Sequence, residues 1–429
     1  MIAVVVLVMV VLIFAGIPMA VGLGAAALAP WLMDHAFAGT PIVVMRSLIT
    51  SYDSTTLLAI PLFMLSGAVM AKGGISKKLF DIFALFVGKR TAGIPMAVII
   101  TCLFYGAISG SGPATVAAVG VMCIPVLLEL GYDKIFSVTL VAVAGSLGVI
   151  IPPSIPMVAY GLMTGVSIGA LFTGGVLPGI LIAVALMLYA YIYCKRHGED
   201  KEKVAANHAK LMEKGAFGVL KEGFWALLCP VIILGSIYGG FCTPTESACI
   251  SVWYAVLVSL FIYKTCKLSD IPKYLLEAVN SYAGLCMMLG VSMAFAKTLT
   301  LLQAPTMLAN FISASIGNRY VFLIVIVIAM FIIGMFIDGG PAVTILSPIL
   351  LPAAVALGVD PVHFGIILIC CLAIGLVTPP FGINLFVGAP LVEEKPMTVG
   401  KAAIPWIAVF MVALLIIVFV PGLSLWLSK

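Results

Sequence analysis

Charge is scarce in this chain. Of its 429 residues 9% are charged and 63% are apolar, against roughly 25% charged residues in a soluble domain. A water-facing surface cannot be assembled from such a composition, so the chain belongs in a membrane. It also lacks the alternating short strands of a membrane barrel. Its apolar runs are long and continuous, as at 2–30 and 404–427, which argues helical spans. Metal-ligand spacing is missing: the ten cysteines have no C-x-x-C pattern, and the adjacent Cys370 and Cys371 sit inside an apolar run. Small core residues are the expected use of such cysteines. The four histidines, His35, His197, His208 and His363, are dispersed. No Walker loop, G-x-S-x-G or H-E-x-x-H is present, so neither ATP hydrolysis nor proteolysis is indicated. With no nucleophile–base pair visible, no enzyme and no covalent cofactor are expected. Residues 1–20 have an apolar run without a preceding basic region or a small-residue cleavage site, and read as a retained first helix.

What charge there is clusters. Residues 195–222 hold Lys195, Arg196, Lys201, Lys203, Lys210, Lys214 and Lys221 and form the only long hydrophilic stretch, dividing the chain almost in half. The positive-inside rule puts this loop in the cytoplasm, and the net charge of +5 fits such loops better than a nucleic-acid partner.

Each half carries the same pair of irregularities. Residues 106–113 read Gly-Ala-Ile-Ser-Gly-Ser-Gly-Pro and are followed by Gly148-Val-Ile-Ile-Pro152-Pro153. Residues 334–341 read Gly-Met-Phe-Ile-Asp-Gly-Gly-Pro and are followed by Gly375-Leu-Val-Thr-Pro379-Pro380. Adding 227 carries Pro125, Gly131, Asp133, Gly148, Pro152, Pro153, Gly161 and Pro178 onto Pro352, Gly358, Asp360, Gly375, Pro379, Pro380, Gly388 and Pro405. An offset of 228 aligns Gly106 with Gly334 and Gly112-Pro113-Ala114 with Gly340-Pro341-Ala342. Register held over such a distance marks an internal repeat. Paired broken segments in a repeated membrane protein point to a secondary transporter and to its site.

The repeat predicts the organisation of the chain. A first repeat, 1–194, contains scaffold helices, a hairpin at 93–130 and a broken helix at 134–165. A cytoplasmic linker occupies 195–222. A second repeat, 223–429, contains scaffold helices, a hairpin at 320–357 and a broken helix at 362–389. Removing 106–113 leaves thirteen residues before the break and seventeen after it, short of the roughly twenty that a crossing needs. A re-entrant hairpin explains this; two short tilted spans joined by a turn is the alternative. Residues 76–87 read as an amphipathic surface helix. Residues 271–280 look interfacial, and 282–300 form a separate apolar span containing Lys297.

Breaks of this kind suit two guests. Each proline removes the hydrogen bond to the carbonyl four residues earlier, so the carbonyls of Gly148 and Val149, and of Gly375 and Leu376, are expected to be free. Such oxygens, with the hydroxyls of Ser109, Ser111 and Thr378, are hard ligands for an alkali cation. Helices restarting at Gly112-Pro113 and Gly340-Pro341 present free N–H groups and positive dipole ends, which favour an anion. Asp338 in the second tip is either a functional charge or a helix cap. Lys297 either meets a substrate carboxylate or snorkels to the interface. Asn384 is placed to bind substrate through its amide. Thr243-Pro-Thr-Glu246 is expected to cap a helix, with a gating or interface role second.

These motifs, with Gly-Gly-Phe-Cys-Thr-Pro-Thr-Glu at 239–246, resemble the large membrane (M, DctM-like) subunit of tripartite ATP-independent periplasmic (TRAP) transporters, over essentially the whole chain. The resemblance implies an all-α polytopic protein of the ion transporter superfamily, with two inverted repeats, re-entrant hairpins, discontinuous helices and elevator-type alternating access. It implies sodium as the coupling ion, a small four-helix membrane subunit as a separate chain, a periplasmic substrate-binding protein, and a bacterial inner-membrane location. Substrates of the family are small organic acids such as sialic acid or C4-dicarboxylates. Carried onto this sequence, the cation sites involve Ser109, Gly110, Ser111, Gly112, Gly148, Val149, Ile151 and Pro152 in one half, and Gly334, Asp338, Gly339, Gly340, Gly375, Leu376 and Thr378 in the other. Substrate contacts are expected from Ser111, Pro153, Lys297, Asp338, Pro380 and Asn384. A self-sufficient sodium/dicarboxylate symporter and a passive channel subunit are the alternatives.

Overall fold

The computed structural model describes the chain except for Lys214, Ile316, residues 336–338 and Lys429; for Val10, Ile13, Phe14 and residues 312–314 only the backbone is described. The described residues form a helical protein. The first half runs α1 (Ile2–Phe14), α2 (Met19–Met33), α3 (Pro41–Ser51), α4 (Ala59–Lys72), α5 (Ile75–Val87), α6 (Gly93–Ser109), α7 (Gly112–Glu129), α8 (Lys134–Gly145), α9 (Ile155–Thr164) and α10 (Ile168–His197). Next come α11 (Lys201–Met212), α12 (Ala216–Tyr238), α13 (Pro244–Leu257), α14 (Ile271–Leu301) and α15 (Ala304–Ser315). The chain closes with α16 (Arg319–Gly334), α17 (Gly339–Ala356), α18 (Pro361–Gly375), α19 (Ile383–Gly388), α20 (Pro396–Phe419) and α21 (Gly422–Leu425). Eight of the helices described are long and apolar enough to cross a membrane.

The sequence repeat is a repeat of elements. Adding 227 to the bounds of α7, 112 and 129, gives 339 and 356, the bounds of α17. In each half a helix pair precedes a helix that stops and restarts. Both stopping helices are capped by the aspartates of the repeat. Asp133 accepts the N–H of Phe136 at 2.8 Å, and Asp360 accepts those of Val362 and His363 at 2.8 and 3.3 Å. From Phe136 to Gly145 and from His363 to Gly375 every residue is buried. A helix that is apolar on all faces has to be central.

The two helix pairs enter from opposite ends. The open end of the first faces the linker: Glu199 accepts the Ala92 N–H at 2.9 and 3.0 Å and the Tyr132 hydroxyl at 2.5 Å. Burial and this carboxylate acceptor push the Tyr132 hydroxyl well above the ordinary tyrosine range. The open end of the second lies beside the far end of α20, where the Tyr320 and Phe419 rings are 5.6 Å apart. The near end of α20 is at the linker side, because Lys134 pairs with Glu394 there at 3.2 Å. Twenty-four helical residues separate the two ends by roughly 36 Å. The two hairpins therefore enter from opposite ends of the bundle, the arrangement that inverted repeats produce.

Three expectations change in detail. Helices α6 and α7 run up to the tip, so the break is Gly110–Ser111 rather than eight residues, and the arms are 17 and 18 residues long. The linker contains α11, and α12 starts within it at Ala216. Residues 271–301 form one continuous helix, α14, not an interfacial piece followed by a span. Lys273 and Glu277 are tolerated in its first turns because this end of the helix is not sealed in apolar packing: both are exposed, and Glu277 borders an open cleft.

Candidate functional site

The first hairpin closes on the first broken helix through glycine. A Cβ on Gly106 would lie 2.6 Å from the Gly148 Cα, and one on Gly110 would lie 2.7 Å from the Pro153 carbonyl. Gly110 also has φ of 62°, a left-handed conformation that glycine adopts without penalty. Its carbonyl accepts the Ile155 N–H at 3.2 Å. This contact holds the tip against the restart of the broken helix.

Three oxygens converge beneath that tip. Thr115 Oγ1 donates to the Ser111 carbonyl at 2.8 Å and lies 3.0 Å from Ser109 Oγ, which is 3.4 Å from the Ser111 carbonyl. A Cβ on Gly148 would come within 2.5 Å of Thr115 Oγ1 and 2.8 Å of the Ser111 carbonyl. Glycine there lets the broken helix cover the cluster. Sequence reasoning misses Thr115, although it stands four residues after Ser111, the spacing at which a helical threonine reaches back to a carbonyl.

The second half repeats the packing with different chemistry. A Cβ on Gly375 would meet the backbone of Gly334 at 2.6 Å. The Thr378 hydroxyl, turned inward, donates to the Ile374 carbonyl at 2.7 Å. On α17, Gly340 faces Leu285 of α14, and Thr344 Oγ1 lies 3.3 Å from Ser292 Oγ of the same helix. Asp338 lies outside the described residues.

The expected free carbonyls are partly reclaimed. Val149 O accepts the Ser154 hydroxyl at 2.6 Å. Leu376 O accepts the Asn384 N–H at 2.9 Å and Gly375 O the Thr378 N–H at 3.1 Å. Proline removes one donor, but a residue near it in sequence supplies another; each carbonyl keeps a second lone pair. The Pro152–Pro153 and Pro379–Pro380 peptide bonds are both cis.

Two adjoining cavities lie between the halves. One of about 150 Å³ is bounded by both tips, including Gly110, Ser111, Pro113, Gly339 and Gly340, with Leu376 behind them. It shares Met64, Ser111 and Ser281 with a cleft of about 690 Å³ between α4, α14 and the first hairpin. Lys72 and Glu277 stand in the wall of that cleft, Nζ to Oε2 2.6 Å, with Nζ 5.1 Å from the Tyr274 ring centroid. The sequence does not single out either as a site residue, because only the tertiary fold places α4 and α14 side by side. The N-cap of α7, Ser111, makes no side-chain capping bond. The first-turn N–H groups at Gly112 and Ala114 therefore face the tip region with the positive end of the helix dipole.

The remaining predicted residues fall elsewhere. Lys297 is exposed and lines neither cavity; it stands sixteen residues beyond Ser281 on α14, roughly 24 Å along the axis. Pro380 is exposed, and Ile151 packs against Gly179 of α10. Asn384 is fully buried and donates to the Ala142 carbonyl of α8 at 3.0 Å. Its Oδ1 is directed at Gly112, where a Cβ would lie 3.2 Å away. Asn384 thus braces the second broken helix against the first half instead of lining the cavity. The capping box expected at 243–246 is present: Thr243 Oγ1 accepts the Glu246 N–H at 3.3 Å, and Glu246 Oε2 accepts the Thr243 N–H at 2.8 Å.

Comparison with known proteins agrees with this architecture. The structure superposes on the YdaH transporter of Alcanivorax borkumensis with a TM-score of 0.64 at 14% identity, over 91% of this chain and 90% of that one. MtrF of Neisseria gonorrhoeae gives 0.62 at 15% identity, over 91% and 85%. Both likenesses concern the fold alone. In sequence, the chain is 40% identical to the C4-dicarboxylate TRAP transporter large permease DctM of Pseudomonas aeruginosa, over 86% of this chain and 85% of that protein. It is 33% identical to the sialic acid TRAP transporter large permease SiaM of Vibrio cholerae, over 97% and 96%. It is also 40% identical to the isethionate TRAP transporter permease DctMQ of Oleidesulfovibrio alaskensis, over 96% of this chain but only 64% of that protein's length. The description "Tripartite ATP-independent periplasmic transporter, DctM component" matches residues 6–423. These are transport permeases, not enzymes. This multi-pass membrane chain therefore belongs to the DctM family of large TRAP transporter subunits.

Proposed function

We propose that this chain is the transport subunit of a sodium-coupled, binding-protein-dependent importer of small organic acids, working by elevator-type alternating access in a bacterial inner membrane. One observation carries the reading. Two glycine tips, entering from opposite ends of the bundle, meet at one small cavity that adjoins a cleft at the linker end. With the basic linker on the cytoplasmic side, that cleft opens inward.

The first sodium site comprises Ser109 Oγ, the Ser111 carbonyl and Thr115 Oγ1, with Gly110, Gly112 and Gly148 allowing the close approach. Three neutral oxygens 2.8–3.4 Å apart suit a small hard cation that accepts oxygen in place of water. The second site is built from Gly334, Gly339, Gly340, Gly375, Leu376 and Thr378, with Asp338 assigned to it from the sequence motif. An organic anion sits between them, favoured by the α7 N-terminus and by the bound cations. On the way out it passes Lys72, whose charge attracts a carboxylate and whose partner Glu277 returns the lysine to its resting pair. Relatives named for C4-dicarboxylates, sialic acid, isethionate and ectoine support an organic acid as substrate. The tripartite, periplasmic family supports a small membrane subunit and a periplasmic binding protein as partners.

Reconstitution with the small subunit in liposomes tests this. Uptake should require both a sodium gradient and the loaded binding protein. Uptake that persists without sodium rejects the coupling, uptake by this chain alone points to a self-sufficient symporter, and conductance without saturation points to a channel.

A further inference from the structure

A further cavity, of about 680 Å³, lies outside the transport path, at the base of the first hairpin. Its walls come from the turn between α5 and α6, which supplies Lys89, Arg90 and Thr91, and from α11, which supplies Lys201 and His208. Among the described residues, Lys89, Arg90 and Lys201 have no ion-pair partner. The one carboxylate in the wall, Glu199, is already engaged by the Ala92 N–H and the Tyr132 hydroxyl. His208 Nε2 lies 3.3 Å from the Leu85 carbonyl. Asp200 caps α11 through the Lys203 N–H at 3.1 Å and pairs with Lys203 at 3.6 Å, so it does not neutralise the cavity.

Lys201 is the first residue of α11. The positive end of this helix already has Asp200 at its cap and Glu202 in its first turn, but neither lines the cavity. The cavity's depth narrows the chemistry. Helix α10, long and apolar enough to cross a membrane, ends in Lys195, Arg196 and His197; the cavity lies just beyond that end, through Glu199, and basic residues flanking such a helix end meet headgroups. Its rim is apolar on one side: Met212, 44% exposed, lines it, and Phe86, 64% exposed, lies one turn before Lys89.

We propose that this cavity binds a phosphate group, carried by an anionic phospholipid headgroup or present as the free ion, and thereby ties the α5–α6 turn to α11. Basic pockets at the cytoplasmic ends of membrane helices recognise such headgroups by charge, and the arginine fork suits phosphate oxygens. An occupant would fix the base of the first hairpin without touching its tip.

The test uses the full chain in neutral detergent. Its melting temperature is followed while phosphatidylglycerol, phosphatidylcholine or inorganic phosphate is titrated, and bound lipid is counted by native mass spectrometry. The triple variant Lys89→Gln, Arg90→Gln, Lys201→Gln is compared with Lys264→Gln, Lys267→Gln, Lys273→Gln, which removes the same charge elsewhere. Phosphatidylglycerol should stabilise wild type and the control, and its half-saturating concentration should rise at least tenfold in the first variant. Phosphatidylcholine should have no effect. An equal response to inorganic phosphate identifies the free ion as occupant; a response to phosphatidylglycerol alone identifies the lipid. Equal responses of the two triple variants, or none in wild type to either phosphate source, overturn the proposal.

Discussion

Gly375→Ala is the sharpest perturbation the packing offers. The added methyl would lie 2.6 Å from the Cα, carbonyl carbon and oxygen of Gly334. All three are backbone atoms, so no side chain can rotate away and the second hairpin must shift. Overpacking of this kind costs about 1–3 kcal/mol. Gly334→Ala makes the reciprocal contact at 3.1 Å and should be milder, while Gly106→Ala, at 2.6 Å from the Gly148 Cα, should match Gly375→Ala. Gly235→Ala is the counterpart. It sits inside α12, and a Cβ there meets nothing within 4 Å. Replacing an unhindered helical glycine by alanine stabilises by about 0.5–1 kcal/mol. Thermal unfolding of the four purified variants should therefore place Gly375→Ala and Gly106→Ala below wild type, Gly334→Ala between, and Gly235→Ala at or above it. Uptake should fall in the same order. If Gly375→Ala melts with Gly235→Ala, the hairpin and the broken helix do not touch as described.

Other consequences can be checked separately. Thr378→Val keeps the shape but loses a hydroxyl, and should raise the sodium concentration for half-maximal uptake at least threefold; an unchanged sodium curve removes Thr378 from the second site. Lys72→Gln should raise the KM for substrate and Glu277→Gln should lower it, with melting temperatures unaltered because exposed pairs contribute little to folding; parallel changes in KM would contradict an anion-attracting role for Lys72. Thr243→Ala removes the capping box of α13 and should cost about 1 kcal/mol, read as a lower melting temperature with unchanged sodium dependence.

Glycine and proline make much of this architecture legible because they act on their own backbone. Their spacing marks the two hairpins, the two broken helices and the 227-residue register, and the structure turns the same glycines into contact points, Gly106 on Gly148 and Gly334 on Gly375. Features that depend on neighbours in space are less legible. Proline spacing predicts free carbonyls at Val149 and Leu376, yet Ser154 and Asn384 reach back to them. Asn384 reads in sequence as a substrate ligand; in the structure its amide N–H donates to the Ala142 carbonyl, and its Oδ1 has no partner among the described residues. Lys297 stands out in sequence because lysine is rare in an apolar run, but helical geometry carries it away from the cavity. Lys72, Glu277 and Ser281 gain their significance only when α4 and α14 are brought against the first hairpin.

Equilibrium binding of radioactive sodium to the purified chain tests most directly whether two cation sites flank one anion pocket. Wild type should saturate with two sites. Ser109→Ala combined with Thr115→Val should abolish one and Thr378→Val should weaken the other, each leaving its counterpart measurable. Unchanged stoichiometry and affinity in both variants would contradict the placement of sodium at the hairpin tips.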